Sequence, residues 1–266
     1  MPQILVRIPR CSLLSTVVWQ VSSRTDTRSL HFVLAGTYII HGIAGDCEAV
    51  ATSRGVKSKQ RIAANGGSVP LSGSIPELAE KAKNCRNCDL WRNATQTVFG
   101  EGGSRPRIMF IGEQPGNEED KEGKPFVGPA GRLLDRLLVE AGVDRKKVYV
   151  TNAVKHFKWE PRGKRRIHKK PSAREIDACR PWLDAEIAEI KPAVIVCLGA
   201  TAAQAILGRT FRVTQHRGEF IESPLAAHVM ATVHPSAILR APDEKTRHEQ
   251  EREFVRDIGQ IAKLKL

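Results

Sequence analysis

With 266 residues and 41 % hydrophobic content, the chain can build one good-sized core or one domain plus an appendage, and no run of about 18 apolar residues is present to cross a bilayer. Its 42 Lys and Arg against 29 Asp and Glu give a formal net charge of +13, which favours a polyanionic partner because clustered cations displace counterions from phosphate. Aromatic residues, at 5 %, are too scarce for a broad base-stacking platform, so nucleic-acid contact is expected at a few positions only.

The first 66 residues hold eight Lys and Arg but only three acids, Asp26, Asp46 and Glu48, among many Ser and Thr. That bias faintly resembles a transit peptide or a weak secretory leader. The apolar run at 29–45 is too short to span a membrane and contains two histidines. KSKQRIAANGGSVPLSGS at 57–74 reads as a linker. Residues 1–72 are therefore expected to be a disordered extension or linker, or translated sequence upstream of the true start, and the globular domain to occupy 73–266.

Globular patterning begins with SIPELAEKAKNC, a helix for which Ser74 is a cap ahead of Pro76 and Glu77. Four apolar runs follow, RIMFIG (107–112), KVYVTNAV (147–154), AVIVCLG (193–199) and HVMATV (228–233), whose β-branched, non-alternating character suits strands buried on both faces. Between and after them lie helical patterns at 128–142, 172–190, 200–208 and 248–266. Alternation of this kind implies right-handed crossovers and an α/β fold: a three-layer αβα sandwich around a central four-stranded parallel sheet. Ligands of such sheets bind beyond the carboxyl ends of the strands, which directs attention to GEQPGNEED (112–120), to the HFKWEPRGKRRIHKK region and to HPSAILR (234–240).

Cys85 and Cys88 form a C-x-x-C pair, and Cys179 and Cys197 lie in the body of the domain; Cys11 and Cys47 belong to the N-terminal extension. On a bland reading Cys197 is a small core hydrophobe in a strand and Cys179 a helix residue. Four thiolates without a histidine suit either structural zinc or an iron–sulfur cluster, and spacing does not choose between them.

GEQPGNEEDKEGKPFVGPAGRLLDRLL after the first strand, TNAVK after the second and HPSAILR after the fourth together resemble the uracil-DNA glycosylase superfamily, from about residue 76 to the C-terminus. The likeness is nearest to family 4, whose members carry a 4Fe-4S cluster on four cysteines. It implies that Cys85, Cys88, Cys179 and Cys197 hold such a cluster. It also implies that Glu113, Gln114, Pro115, Phe126, Asn152 and His234 form the uracil pocket. Phe126 would stack on a flipped pyrimidine, Asn152 read its Watson–Crick edge and His234 donate to the oxygen that gains charge as uracil leaves. Ser236 and Arg240 would contact phosphate.

One stretch departs from family 4. GKRRIHKKPS sets His168 among Lys164, Arg165, Arg166, Lys169 and Lys170, and looks like the signature loop of the UdgX branch, whose members become covalently joined to uracil-containing DNA through the loop histidine. The resemblance implies that His168, with Glu113 and His234, is catalytic, and that Lys164, Arg165, Arg166 and Lys169 bind DNA. The five cations are expected to keep the imidazole neutral and therefore nucleophilic. Asn117 stands where many relatives carry an acid, which leaves the acid network around Glu113 open. The competing expectations are a conventional multiple-turnover family 4 glycosylase and a non-catalytic iron–sulfur or zinc protein. The expected partner is uracil-containing DNA, single strands included, met by a cytoplasmic monomer.

Overall fold

The computed structural model describes residues 72–103 and 105–266. The N-terminal extension, with Cys11, Cys47 and the apolar run at 29–45, lies outside the described residues. The elements run α1 (Ile75–Ala82), β1 (Glu101–Gly102), β2 (Ile108–Gly112), α2 (Asn117–Glu122), α3 (Pro129–Glu140), β3 (Val148–Asn152), β4 (Trp159–Arg162), β5 (Arg165–His168), α4 (Ala173–Ile190), β6 (Val194–Leu198), α5 (Gly199–Leu207), α6 (Val213–His216), β7 (Phe220–Ile221), β8 (His228–Thr232), α7 (Pro235–Leu239) and α8 (Glu244–Ala262).

Helix starts follow local capping chemistry. Ser74 with Glu77 and Ser172 with Glu175 make capping boxes for α1 and α4, and the Asp243 carboxylate accepts the Thr246 amide at 2.8 Å to open α8. Among the described residues, no helix is long and apolar enough to cross a membrane.

The central sheet has the order β1-β3-β2-β6-β8-β7. Its middle four strands are parallel and are the four anticipated runs. The expected four-strand count is corrected to six, because β1 and β7 pair antiparallel with β3 and β8 at the two edges. Each is only two residues long, too short for periodicity to register, and each occupies an edge that would otherwise be open. Successive side chains of the inner strands point to opposite faces. Ile108, Phe110, Val194 and Val196 pack with α3, α7 and α8, whereas Met109, Ile111, Ile195 and Cys197 pack with α4 and α5.

The chain leaves β2 for β3 on one side, then returns past it to β6 on the other. That reversal opens a crevice at the carboxyl ends of β2 and β6.

Candidate active site

Four strand ends converge on this crevice. Gly112 and Asn152 are neighbours in register at the ends of β2 and β3. A Cβ on Gly112 would sit 2.3 Å from Asn152 Oδ1 and 2.8 Å from Phe126 Cζ, so glycine is what lets the amide and the ring approach. Phe126 itself has φ +57, unusual for an aromatic residue. Its turn rests on Gly131, where any Cβ would meet the Phe126 carbonyl oxygen at 1.7 Å. The ring lies 6.1 Å from that of His234, 25° from parallel. Asn152 is 3 % exposed, and its side-chain amide has no hydrogen-bond partner among the described residues.

His234 caps α7. The Ser236 amide donates to its Nδ1 at 3.1 Å, and the Ser236 hydroxyl lies 2.8 Å from the same nitrogen. Burial pushes the imidazole down to about 4, helped by the Arg240 guanidinium and by His168, so the ring is neutral near pH 7. With Nδ1 accepting, the proton resides on Nε2.

The cationic stretch, expected as a loop, forms a hairpin of β4 and β5 that pairs Trp159 with His168 and turns at Gly163, φ +59. Strand alternation places Arg166 and His168 on one face. Gln114 clamps the base of the hairpin: its amide donates to the Lys158 and Lys169 carbonyls and accepts the Lys158 amide, all at 3.1 Å. Arg166 pins the ribbon to α2. It donates to Asn117 Oδ1 at 2.8 Å, pairs with buried Asp120 at 2.6 Å, and lies 5.4 Å from the ring centres of Phe157 and Trp159.

These clamps carry His168 to the crevice. Its Nε2 lies 3.4 Å from Glu113 Oε1, and the imidazole is half exposed. The other Glu113 oxygen accepts a hydrogen bond from the Thr201 hydroxyl. Burial lowers the His168 pKa below the ordinary imidazole range, Glu113 opposes this and Arg240 reinforces it. The neutral ring anticipated from its five sequence neighbours is therefore obtained by other means, namely desolvation and one cation from α7.

The cysteines divide three to one. Cys85, Cys88 and Cys179 share a cluster with Leu78, Trp182 and Phe99 beside α1 and α4. The Cys179 Sγ accepts the Lys155 amide, and the Cys85 Sγ accepts the Trp182 indole N–H, each at 3.2 Å. Burial pushes the Cys179 thiol up to about 12, with Cys85 and Cys88 adding to the rise. Cys197 is corrected: it is wholly buried within β6, between Ile111 and Ala231, and behaves as a core hydrophobe on the α4–α5 face. His156 supplies a nitrogen on the cysteine side. Its Nε2 meets Thr97 Oγ1 at 2.9 Å, and because that hydroxyl spends its only proton on the Ala82 carbonyl, His156 must be the donor. Burial pushes His156 down to about 4, which leaves a neutral ring with its lone pair on Nδ1.

Glu113, Phe126, Asn152, His168 and His234 are thus brought together. Pro115 is buried under the turn, and Lys164 and Arg165 are exposed at the hairpin tip. Lys169 is exposed and paired with Glu160 at 2.8 Å. Three residues serve differently from expectation: Gln114 and Arg166 hold the hairpin, and Ser236 holds His234. Sequence reasoning passed over Thr201, Asp120, His156 and a buried pair, Lys155 with Glu186 at 2.5 Å. TNAVK did contain Lys155, but nothing local marked its partner.

A family model described as the uracil DNA glycosylase superfamily matches residues 99–259. The type-4 uracil-DNA glycosylase of Thermotoga maritima is 40 % identical over 189 residues, covering 68 % of this chain and 95 % of that protein. Those of Sulfurisphaera tokodaii and Archaeoglobus fulgidus are 37 % and 35 % identical over 196 residues each, covering 70 % and 71 % of this chain and 85 % and 94 % of theirs. The match spans the strand ends just described, from Glu113 to His234, and on it the chain belongs to the uracil DNA glycosylase superfamily.

Proposed function

We propose that the protein excises uracil from DNA and captures the resulting sugar on His168. The observation that carries this reading is the half-exposed His168 imidazole held 3.4 Å from Glu113 at the mouth of the Phe126–Asn152–His234 pocket, its pKa lowered by burial against the opposing charge of Glu113. A flipped uracil would stack on Phe126 and present its polar edge to the free Asn152 amide. The Nε2–H of His234 faces the oxygen on which charge develops. As the N1–C1′ bond breaks, its electron pair leaves with uracil and the sugar carbon becomes cation-like. The His168 lone pair then forms the N–C1′ bond, and the imidazole becomes an alkylated cation opposite the Glu113 carboxylate. Charge balances without any proton having to cross the site. Lys164, Arg165, Lys169 and Arg240 supply the phosphate contacts, and the activity belongs to residues 73–266.

The cysteine set fits an iron–sulfur cluster in part. Three thiols gather where two N–H groups already point at sulfur, and burial makes the Cys179 and Cys88 thiolates costly unless a cation neutralises them. Cys85, Cys88 and Cys179 would hold a 4Fe-4S cluster, with His156 Nδ1 as the fourth donor in place of Cys197. A histidine ligand whose second nitrogen donates to a fixed oxygen is the usual arrangement at metal sites. When bound, the cluster supplies a structural staple between α1 and α4.

Denaturing electrophoresis of the protein mixed with a uracil-containing single strand tests the reading. A band that survives SDS, and is lost in His168→Ser, is the expected result. Strand cleavage after alkali with no shifted band would instead make the protein a conventional multiple-turnover glycosylase, and neither outcome would make it a non-catalytic binder.

A further inference from the structure

We infer that Thr201 is a positioning residue for the capture reaction, holding Glu113 so that one carboxylate oxygen is directed to His168. The inference rests on the function proposed above and adds to it a residue on a different strand end. Glu113 follows β2 and Thr201 lies in the first turn of α5, directly after β6, so their contact closes the crevice where the sheet order reverses. The two oxygens of Glu113 have separate partners: Oε2 accepts from the Thr201 hydroxyl, and Oε1 is 3.4 Å from His168 Nε2. Thr201 is 3 % exposed, so its hydroxyl has no water of equal standing to choose instead.

The turn that delivers it is specialised. Gly199 has φ +83, and a Cβ there would press on His234 Cβ at 3.1 Å. One tight turn therefore sets Thr201 beside Glu113 and leaves room for His234. Rotation about the Glu113 side chain would carry Oε1 away from the imidazole. The Thr201 hydrogen bond opposes that rotation. A carboxylate so restrained is preorganised toward the cationic imidazole that capture creates, and costs no reorganisation at the moment of reaction.

Single-turnover capture, with the full chain in excess over a uracil-containing single strand, tests this. Thr201→Val keeps the shape and removes the donor. Its capture rate constant is expected to fall by roughly ten- to a hundredfold, while the protein concentration giving half-maximal rate changes by less than about twofold. Thr201→Ser should restore the rate to within about threefold of wild type, and Thr201→Ala should behave as the valine variant if valine packs poorly. In a Glu113→Gln background, Thr201→Val should change the residual rate by less than about twofold, because the two residues act as a unit. Wild-type rates in the valine and alanine variants, a serine variant as slow as valine, or the same loss on both backgrounds would each overturn the inference. A wild-type protein that releases uracil without forming an adduct would overturn the capture reading alone, and the Thr201 series would then be scored on uracil release.

Discussion

Lys155→Met is expected to be among the most destabilising single substitutions in the domain. Lys155 and Glu186 are 1 % and 0 % exposed and 2.5 Å apart beneath the sheet. The ammonium also donates to Thr151 Oγ1 at 2.7 Å and to the Asn152 carbonyl at 2.8 Å. The carboxylate accepts further from Tyr149 Oη at 2.8 Å, from Thr151 Oγ1 and from the Gly100 amide. Methionine would fill similar volume but leave Glu186 as a buried anion facing neutral donors only. Breaking such a pair from one side costs about 3–5 kcal/mol, against a total stability of about 5–15 kcal/mol for an ordinary domain. Equilibrium urea unfolding at pH 7 reads the loss directly. Lys155→Met/Glu186→Gln should recover about half of it or more, because the glutamine oxygen still accepts from Tyr149 and Gly100 while the orphaned charge is gone. A single-variant loss under about 1 kcal/mol, or a double variant weaker than the single, would refute the account of this network as a charge pair held by its surroundings.

The pH dependence of capture follows from two depressed imidazoles. In the proposed capture His168 acts only when neutral, and its pKa is lowered first by burial, with Glu113 opposing and Arg240 reinforcing, so the rate should stay level as pH falls through the ordinary imidazole value near 6.5 and drop only below it. Arg240→Gln removes a cation that lowers both His168 and His234, so at saturating DNA the acid limb should move to higher pH; an unmoved limb or a shift to lower pH would contradict the assignment. For the cluster, Cys197→Ala should retain the full iron content and visible absorbance of the wild type, whereas His156→Ala should lose iron and His156→Cys should keep it; iron loss in Cys197→Ala alone would restore Cys197 to the ligand set.

The parallel strands were legible because burial on both faces writes itself into consecutive positions, as in Val148–Asn152 and Val194–Leu198. The site at their carboxyl ends followed from topology, and Glu113, Asn152 and His234 stand there. Pairings made across the fold were not legible. Thr201 is one threonine in an alanine-rich helix until β6 is set beside β2, and Glu186 reads as a surface acid until Lys155 is found under the sheet. Cys197 shows the converse: thiol chemistry suggested a ligand, but a strand whose neighbours are Ile111 and Ala231 keeps a thiol as a small hydrophobe.

The cationic stretch shows most clearly why adjacency in sequence misleads. Five positive charges around His168 suggest that they govern its protonation, yet a strand sends alternate residues to opposite faces, and Arg166, the cation on the same face, is neutralised by Asp120. Lys164 and Arg165 are exposed at the tip, where solvent screens them. What acts on the imidazole is first the loss of water, then Glu113, which opposes it, and Arg240, 72 positions away in sequence, which reinforces it. On the proposed reading the hairpin separates two tasks: its tip attracts phosphate, while its base, clamped by Gln114 and Arg166, presents the imidazole to Glu113. Substitutions at the tip should therefore change the salt dependence of DNA binding, and substitutions at the clamp the rate of bond formation.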